Sequence, residues 1–568
     1  MHRGPDAAGC WQEQGITLVH RRLAILDTSV LGQQPMASAC GRWRLVFNGE
    51  IYNYLELRCH LEALGHRFRS SGDTEVLLQL LIRYGTAALG RLRGMYAFCL
   101  WDAQERSALL ARDPYGIKPL YLHHGPGGSV VFASELRAVL ASGLVPRRLD
   151  PKGLAAFLQH GSLPADLTLV ENVQALPPGW LATWRHGRLH LLPHWRPSFQ
   201  TELNRNAAQQ IAVTREALQD SIALHLRSDV PVGLFLSGGR DSASILALAA
   251  GGVHSLSIGF AETGYDESLE AAALARAFGS LHQRLLLGPS DAASLLPGFL
   301  SAVDQPSVDG FNTYCVSALA AAEGLKVVLS GLGGDELFGG YPSFQRVPRA
   351  VAIQRCLGPA APWCGRLLQA WCLDAKFQRL AAGLQGPASV SGAHQVLRGL
   401  FAPVEIQRLM CAWGLPLAPP PPWPDPLPAA SDLDQVAWLE SSAYMGDQLL
   451  RDSDTFSMAH GLELRVPFVD SQLFRSLAPI PAACRLAPGK GLLRAAVPEL
   501  EPYLARKPKQ GFSLPFPQWF SAGPLADTLQ QRLPPLPPGV DQRPWARRWG
   551  LMVLNHWLDR HLGVTLAP

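Results

Sequence analysis

Two hydrophobic rhythms divide the chain. Up to about Trp195 the apolar residues fall in short runs broken by turns: Ile16–Leu26, Trp43–Asn53, Tyr96–Asp102, Ala108–Asp113, Ser129–Glu135 and Trp180–Trp184. Runs of that length predict strands. Two stretches of helical spacing, Leu55–Gly65 and Thr74–Gly85, lie between them. The expected architecture is an α+β layered domain with antiparallel sheets. Leu176, Pro177, Pro178 and Gly179 mark a turn near its end, and a polar segment from Arg196 leads into a long amphipathic helix through Leu226. Beyond a boundary near residue 200, apolar strands at Val232–Leu236, His254–Phe260, His282–Leu287 and Lys326–Gly331 alternate with helices, which is the rhythm of an α/β parallel sheet. A helical, interrupted part follows from Arg349 to Glu440. Within it Leu417–Pro428 is too rich in proline for a helix or a central strand and reads as an extended surface loop. The expected division is 1–195, 200–525 and a tail, 526–568.

Composition narrows the class. A chain of 568 residues is too long for one core. With 48% hydrophobic and 17% charged residues it is a well-buried globular protein, and a net charge of +4 is too small to imply nucleic acid or membrane as a partner. No apolar stretch reaches the length of a membrane span and no signal peptide opens the chain, so the expected compartment is the cytoplasm. The ten cysteines form no C-x-x-C pair and are read as buried thiols, neither zinc ligands nor disulfides.

The stretch richest in chemistry is Pro231–Ala250, PVGLFLSGGRDSASILALAA. An apolar strand breaks at Ser237, Gly238 and Gly239 and resumes as a helix. Such a turn gathers N–H groups, its glycines let backbone approach a ligand, and the hydroxyls of Ser237 and Ser242 with the helix N-terminus add donors for a multiply charged anion. Asp241 beside such an anion is repulsive unless a divalent cation lies between them. The turn therefore predicts pyrophosphate plus magnesium. It fits neither the Walker spacing nor the dinucleotide fingerprint.

The SGGxDS form of this turn is the signature of the ATP-pyrophosphatases. HRGPD (from His2), HRRLAILD (from His20), FNGEIYN (from Phe47), SGDTE (from Ser71), ARDPYGIKPLY (from Ala111) and FASELRA (from Phe132), in that order, closely resemble class II glutamine amidotransferase domains, which are N-terminal-nucleophile hydrolases. KVVLSGLGGDELFGGY (Lys326–Tyr341), RDSDTFSMAHGLELRVPFVD (Arg451–Asp470), LLRAAVPEL (from Leu492) and RKPKQGFSLP (from Arg506) extend the likeness to asparagine synthetases of type B, with β-lactam synthetase as a cousin.

That resemblance implies roles residue by residue. Arg22 would hold the α-carboxylate of glutamine, Asp73 and Glu50 its α-ammonium, and Asn48 with Gly49 would form the oxyanion hole. Leu236, Ser237, Gly238, Gly239, Asp241, Ser242, Ile258, Ser330 and Gly331 would meet ATP, with Ile258 on the adenine. Asp241 and Asp335 would share magnesium. Tyr265–Ser268 would open the helix after Ile258, and Glu463 with Arg465 would form a structural ion pair. Lys509, in a lid before Gln510 and Gly511, would stabilise charge as ammonia attacks an acyl-adenylate.

The implied reaction is ATP-dependent adenylation of a carboxylate, aspartate by default, followed by amide formation with ammonia from glutamine. The implied substrates are small molecules, and a homodimer is left open. Three departures stand out. Leu332 occupies a position that is usually acidic, so the acceptor or the base differs from the usual one. Arg240 replaces the usual leucine and is expected to point to solvent. The family's nucleophile is an N-terminal cysteine, whereas this sequence begins MHRGPD, so the layered domain is expected to be truncated at its start. As written it should bind glutamine poorly and hydrolyse none. A missed upstream start, dependence on free ammonia, a degenerate amidotransferase or a non-catalytic homologue would each account for that.

Overall fold

The computed structural model describes residues 2–164, 166–199, 205–249, 252–262, 264–421, 423, 427, 431–504, 514–521 and 523–566. Its first half is built on antiparallel strands: β1 (Ala7–Glu13), β2 (Ile16–Arg22), β3 (Met36–Ala37), β4 (Trp43–Ile51), β5 (Gly94–Asp102), β6 (Ser107–Arg112), β7 (Tyr121–His124), β8 (Val130–Ala133), β9 (Val173–Ala175), β10 (Trp180–Arg185) and β11 (Arg188–Pro193). The main sheet runs β11-β10-β6-β5-β4-β3, flanked by the β1–β2 hairpin and a small sheet, β8-β7-β9.

Alternation assigns the faces. Leu45 and Phe47 of β4 with Tyr96, Phe98 and Leu100 of β5 pack on the helices Tyr54–Ala63 and Asp73–Tyr84. The intervening Val46, Ala97, Cys99 and Trp101 face the other way, against Leu18 of β2 and Leu122 of β7. A slip of one residue would exchange the two sets, so burial on both sides fixes the register. The strand expected over Ile16–Leu26 ends at Arg22. There the guanidinium turns back to donate to the carbonyls of Leu26 (3.2 Å), Asp27 and Ser29 (2.7 Å), bending the chain out of the sheet.

In the second half β12 (Val232–Phe235), β13 (His254–Gly259), β14 (His282–Leu286), β15 (Val327–Leu329) and β16 (Glu463–Arg465) form one parallel sheet in the order β14-β13-β12-β15-β16. The chain lays down β12, β13 and β14 outward, then crosses to β15 on the other side of β12. This reversal opens a crevice at the C-terminal ends of β12 and β15, the place where ligands bind in such sheets.

β16 also ties the halves together. Arg465 is fully buried, donates to Glu463 at 2.8 Å and to the carbonyls of His225 (2.9 Å) and Arg227 (2.6 Å), and comes within 3.7 Å of Glu50 on β4. The Glu463–Arg465 ion pair expected from the sequence is present.

Three readings need correction. Cys99 and Cys315 are buried, but Cys10, Cys40, Cys59, Cys356, Cys364, Cys411 and Cys484 are exposed, because they sit on outward faces that residue type alone cannot reveal. One residue of the proline-rich stretch departs from the surface reading: Trp423 is buried and stacks on His160 with ring centroids 4.3 Å apart. Residues 545–562, assigned to the tail, form a helix whose Trp549 and Trp557 are fully buried, and Arg547 pairs with Glu405 at 2.7 Å. No helix among the described residues is long and apolar enough to cross a membrane.

Candidate active site

Two glycine-bearing turns meet at the crevice. After β12 the chain turns through Leu236–Gly239 into the helix Arg240–Leu248, whose N-cap is Gly239. The Ser237 N–H donates to the Ser242 hydroxyl at 3.1 Å and the Gly239 N–H to the Ser237 hydroxyl at 3.1 Å. After β15 comes Ser330–Gly333, then the short helix Gly334–Phe338, and the Ser330 N–H is held by the Arg465 carbonyl at 2.9 Å. The turns touch. A Cβ on Gly331 would lie 2.7 Å from the Ser242 nitrogen, and one on Gly334 2.5 Å from the Asp241 carboxyl carbon. Only glycine allows that approach.

The carboxylates of Asp241 and Asp335 converge on one cation. Lys490 Nζ contacts Asp241 through both carboxylate oxygens and Asp335 at 2.6 Å. Lys490 is buried and caps the helix Gly491–Ala496 in the left-handed conformation, φ 59°. Burial works against its charge, but the two carboxylates outweigh that and raise its pKa. Among the described residues no cluster of three or more His, Cys, Asp or Glu side chains could hold a metal by itself. Two carboxylates aimed at one positive charge, beside a turn with no room for side chains, do fit magnesium whose remaining ligands are phosphate oxygens.

The crevice widens into a cavity of about 280 Å³. Leu236, Ser237, Gly239, Asp241, Ser242, Ile258, Ser330 and Gly331 line it, as does Leu332. Gly238 lies in the turn but not on the wall, and Asp335 stands behind it on Lys490. Arg240 does not point to solvent as expected. It pairs with Glu501 at 2.7 Å and its side chain is 13% exposed, so a carboxylate from a distant helix has claimed it. Lys509, Gln510 and Gly511 fall outside the described residues.

Two wall residues were not singled out from the sequence. Asp309 and Asp452 are carboxyls on the cavity wall. Burial raises both, Asp452 to about 7, with Asp309 adding repulsion while Arg451 and Ser307 pull the other way. Asp309 lies in the loop ahead of the helix Phe311–Ala322, and Asp452 in the polar first turn of the helix Arg451–Met458, inside a block quoted for its likeness but with no role of its own. Lys490 had only its place just ahead of LLRAAVPEL.

The N-terminal half holds a second, smaller cavity lined by Arg22, Asn48, Gly49, Glu50 and Asp73 together with His20, Lys118 and Glu463. The five residues named from the resemblance are therefore neighbours. Arg22 is already donating to three carbonyls, and Asn48 Nδ2 to the Ser134 hydroxyl at 3.2 Å. Gly49 has φ 145°, and a Cβ there would strike the Met95 carbonyl oxygen at 2.0 Å. Asp73 accepts the Ile51 N–H at 2.8 Å, yet burial lifts its pKa to about 6. Burial and the neighbouring Asp73 push Glu50 well above the usual carboxylate range. Among the described residues no cysteine lines this cavity.

Comparison with known proteins follows the same division. A family profile for a glutamine amidotransferase domain matches residues 1–195, and one for asparagine synthase matches residues 213–547. A putative glutamine-hydrolysing asparagine synthetase of Mycobacterium tuberculosis (strain ATCC 25618 / H37Rv) is 34% identical over 93% of this chain and 84% of its own length. Glutamine-hydrolysing asparagine synthetase 1 of Bacillus subtilis (strain 168) is 31% identical over 91% and 83%. Among solved structures, the glutamine phosphoribosylpyrophosphate amidotransferase from B. subtilis overlaps 58% of this chain and 76% of its own at 18% identity with a TM-score of 0.26, an overlap too slight to argue from.

Proposed function

We propose that this chain, which belongs to the asparagine synthase family, is an ATP-dependent carbon–nitrogen ligase that activates a carboxylic acid as its adenylate and converts it to an amide. The observation that carries the reading is the convergence of Asp241 and Asp335 on a single cation beside the Ser237–Ser242 turn. The turn's donors and the helix N-terminus would seat the triphosphate, and Ile258 would border the adenine. Asp241 and Asp335 would hold magnesium, whose charge offsets that of the leaving pyrophosphate. Lys490, already between them, would turn its ammonium to the same phosphates.

In the first step an acceptor carboxylate oxygen bonds to the α-phosphorus and pyrophosphate departs. In the second, ammonia attacks the acyl carbon, the C–O bond to AMP breaks, and one proton leaves the nitrogen. Asp452, with a pKa near neutrality, is the wall residue suited to take that proton. The nitrogen would come from glutamine bound by Arg22, Glu50, Asp73, Asn48 and Gly49, or from free ammonia. Aspartate is the default acceptor. Leu332 on the cavity wall supports a second reading, in which the acceptor is another acid, such as a sugar acid or a secondary metabolite.

The test is pyrophosphate release from MgATP by purified protein against a panel of carboxylic acids, with ammonium and glutamine each supplied. Release stimulated by aspartate supports the first reading, and release stimulated by a different acid supports the second. No stimulation by any acid, with either nitrogen source, rules out a ligase.

A further inference from the structure

Three consecutive helices, Ser343–Leu357, Ala361–Trp371 and Ala375–Gln385, carry a surface that the ligase reading leaves unused. The middle helix seats its Gly365 face on the third, since a Cβ on Gly365 would lie 2.7 Å from the Ala381 carbonyl oxygen and 3.1 Å from the Leu384 Cβ. At 100° per residue the face opposite Gly365 presents Trp363, Leu367 and Trp371. All three are bare: their exposures are 66%, 62% and 87%. Large apolar side chains four residues apart on one outward stripe are not the scatter of single exposed residues that ordinary surfaces carry.

The charges these three helices carry are nearly all of one sign. Residues 343–385 contain six Lys or Arg and one acid, a local net charge of +5. Arg346, Arg349, Arg355, Arg366 and Lys376 are exposed, and the Arg366 guanidinium lies 5.4 Å from the Trp363 ring centroid. The acid, Asp374, caps the Lys376 N–H at 2.9 Å and is paired with Arg543.

We propose that this face docks on the surface of a bilayer containing anionic phospholipid. Tryptophan, with its apolar body and polar edge, favours the headgroup boundary. The exposed cations of these helices complement lipid phosphates, and an 11-residue helix, about 16 Å long, suits lying in the interface and is too short to cross it. A second copy of the chain is disfavoured as occupant, because stacking the same face on itself would bring two sets of cations together.

The test is co-sedimentation of the full chain with vesicles of phosphatidylcholine mixed with phosphatidylglycerol, against vesicles of phosphatidylcholine alone. Binding to the mixed vesicles is expected to be about tenfold or more stronger and to weaken in high salt. The variant Trp363→Ser/Leu367→Ser/Trp371→Ser should lose that binding by about tenfold while keeping the parent's melting temperature. The variant Arg366→Glu/Lys376→Glu should lose the preference for phosphatidylglycerol. Equal or absent binding to the two vesicle types overturns the proposal, as does undiminished binding by the serine variant. Concentration-dependent self-association abolished by the serine substitutions, without lipid binding, would assign the face to a second copy instead.

Discussion

At the head of the parallel sheet two carboxylates share a buried ammonium, whereas in the N-terminal cavity Glu50 and Asp73 are buried with their nearest guanidinium, that of Arg465, 3.7 Å from Glu50. In the first site the ammonium offsets one of the two negative charges in place and leaves a net charge of -1 among these three groups. In the second, burial and the mutual repulsion of the carboxyls raise both pKa values, because Arg465 offsets these effects only in part. On the proposed reading the first cavity would take a polyanion with its counter-ion, and the second a cationic group.

The largest expected break in this contrast comes from Asp335→Asn, which keeps the shape but removes one of the two converging charges. Pyrophosphate release, measured with an acid that supports it, should fall about 10²- to 10³-fold with little change in melting temperature. A fall of less than about threefold would mean that the carboxylate pair is structural only. Next is Lys490→Met, which leaves Asp241 and Asp335 facing each other without their ammonium. Urea unfolding should show a loss of about 3–5 kcal/mol. Added magnesium should raise the variant's melting temperature more than the parent's, and an equal response would argue against a metal between these carboxylates.

A paired substitution compares the cavities directly. Gly49→Ala meets the Met95 carbonyl oxygen at 2.0 Å from a backbone φ of 145°, and Gly331→Ala meets the Ser242 nitrogen at 2.7 Å. Each should lose about 1–3 kcal/mol of stability. Only Gly331→Ala should also impair pyrophosphate release when ammonium is supplied. The smallest effect is one of pH. Asp73 has an ordinary pKa of 3.8 and a folded value of about 6, so between these the folded chain holds a proton that the unfolded chain has released. Its contribution to stability is full below about 4 and lost as pH rises through about 6. In Asp73→Asn that dependence is gone, and the variant's melting temperature relative to the parent should climb across this window and then level off.

How far these sites could be read in advance follows from sequence distance. The strand, turn and helix around Ser237 are local, so periodicity and two glycines revealed them. The parallel sheet and the two helices on the N-terminal sheet were legible in the same way. Lys490 was not, because it meets Asp241 across 249 positions. Arg240 was misjudged for the same reason: Glu501, 261 positions away, decides where it points. Net charge averages over the whole chain. A total of +4 over the chain hides the +5 gathered in residues 343–385, and it was this total that counted against a membrane partner.

The sequence by itself determined the two rhythms, the glycine turns, and the hydroxyls and carboxylate gathered just after Leu236, since all of these depend on neighbours a few positions apart. Tertiary structure alone decided which buried charges are paired and which carry raised pKa values, that a supposed tail supplies Trp549 and Trp557 to the core, and that Trp363, Leu367 and Trp371 remain uncovered. Burial and charge pairing are properties of distant segments brought together, and no window along the chain contains them.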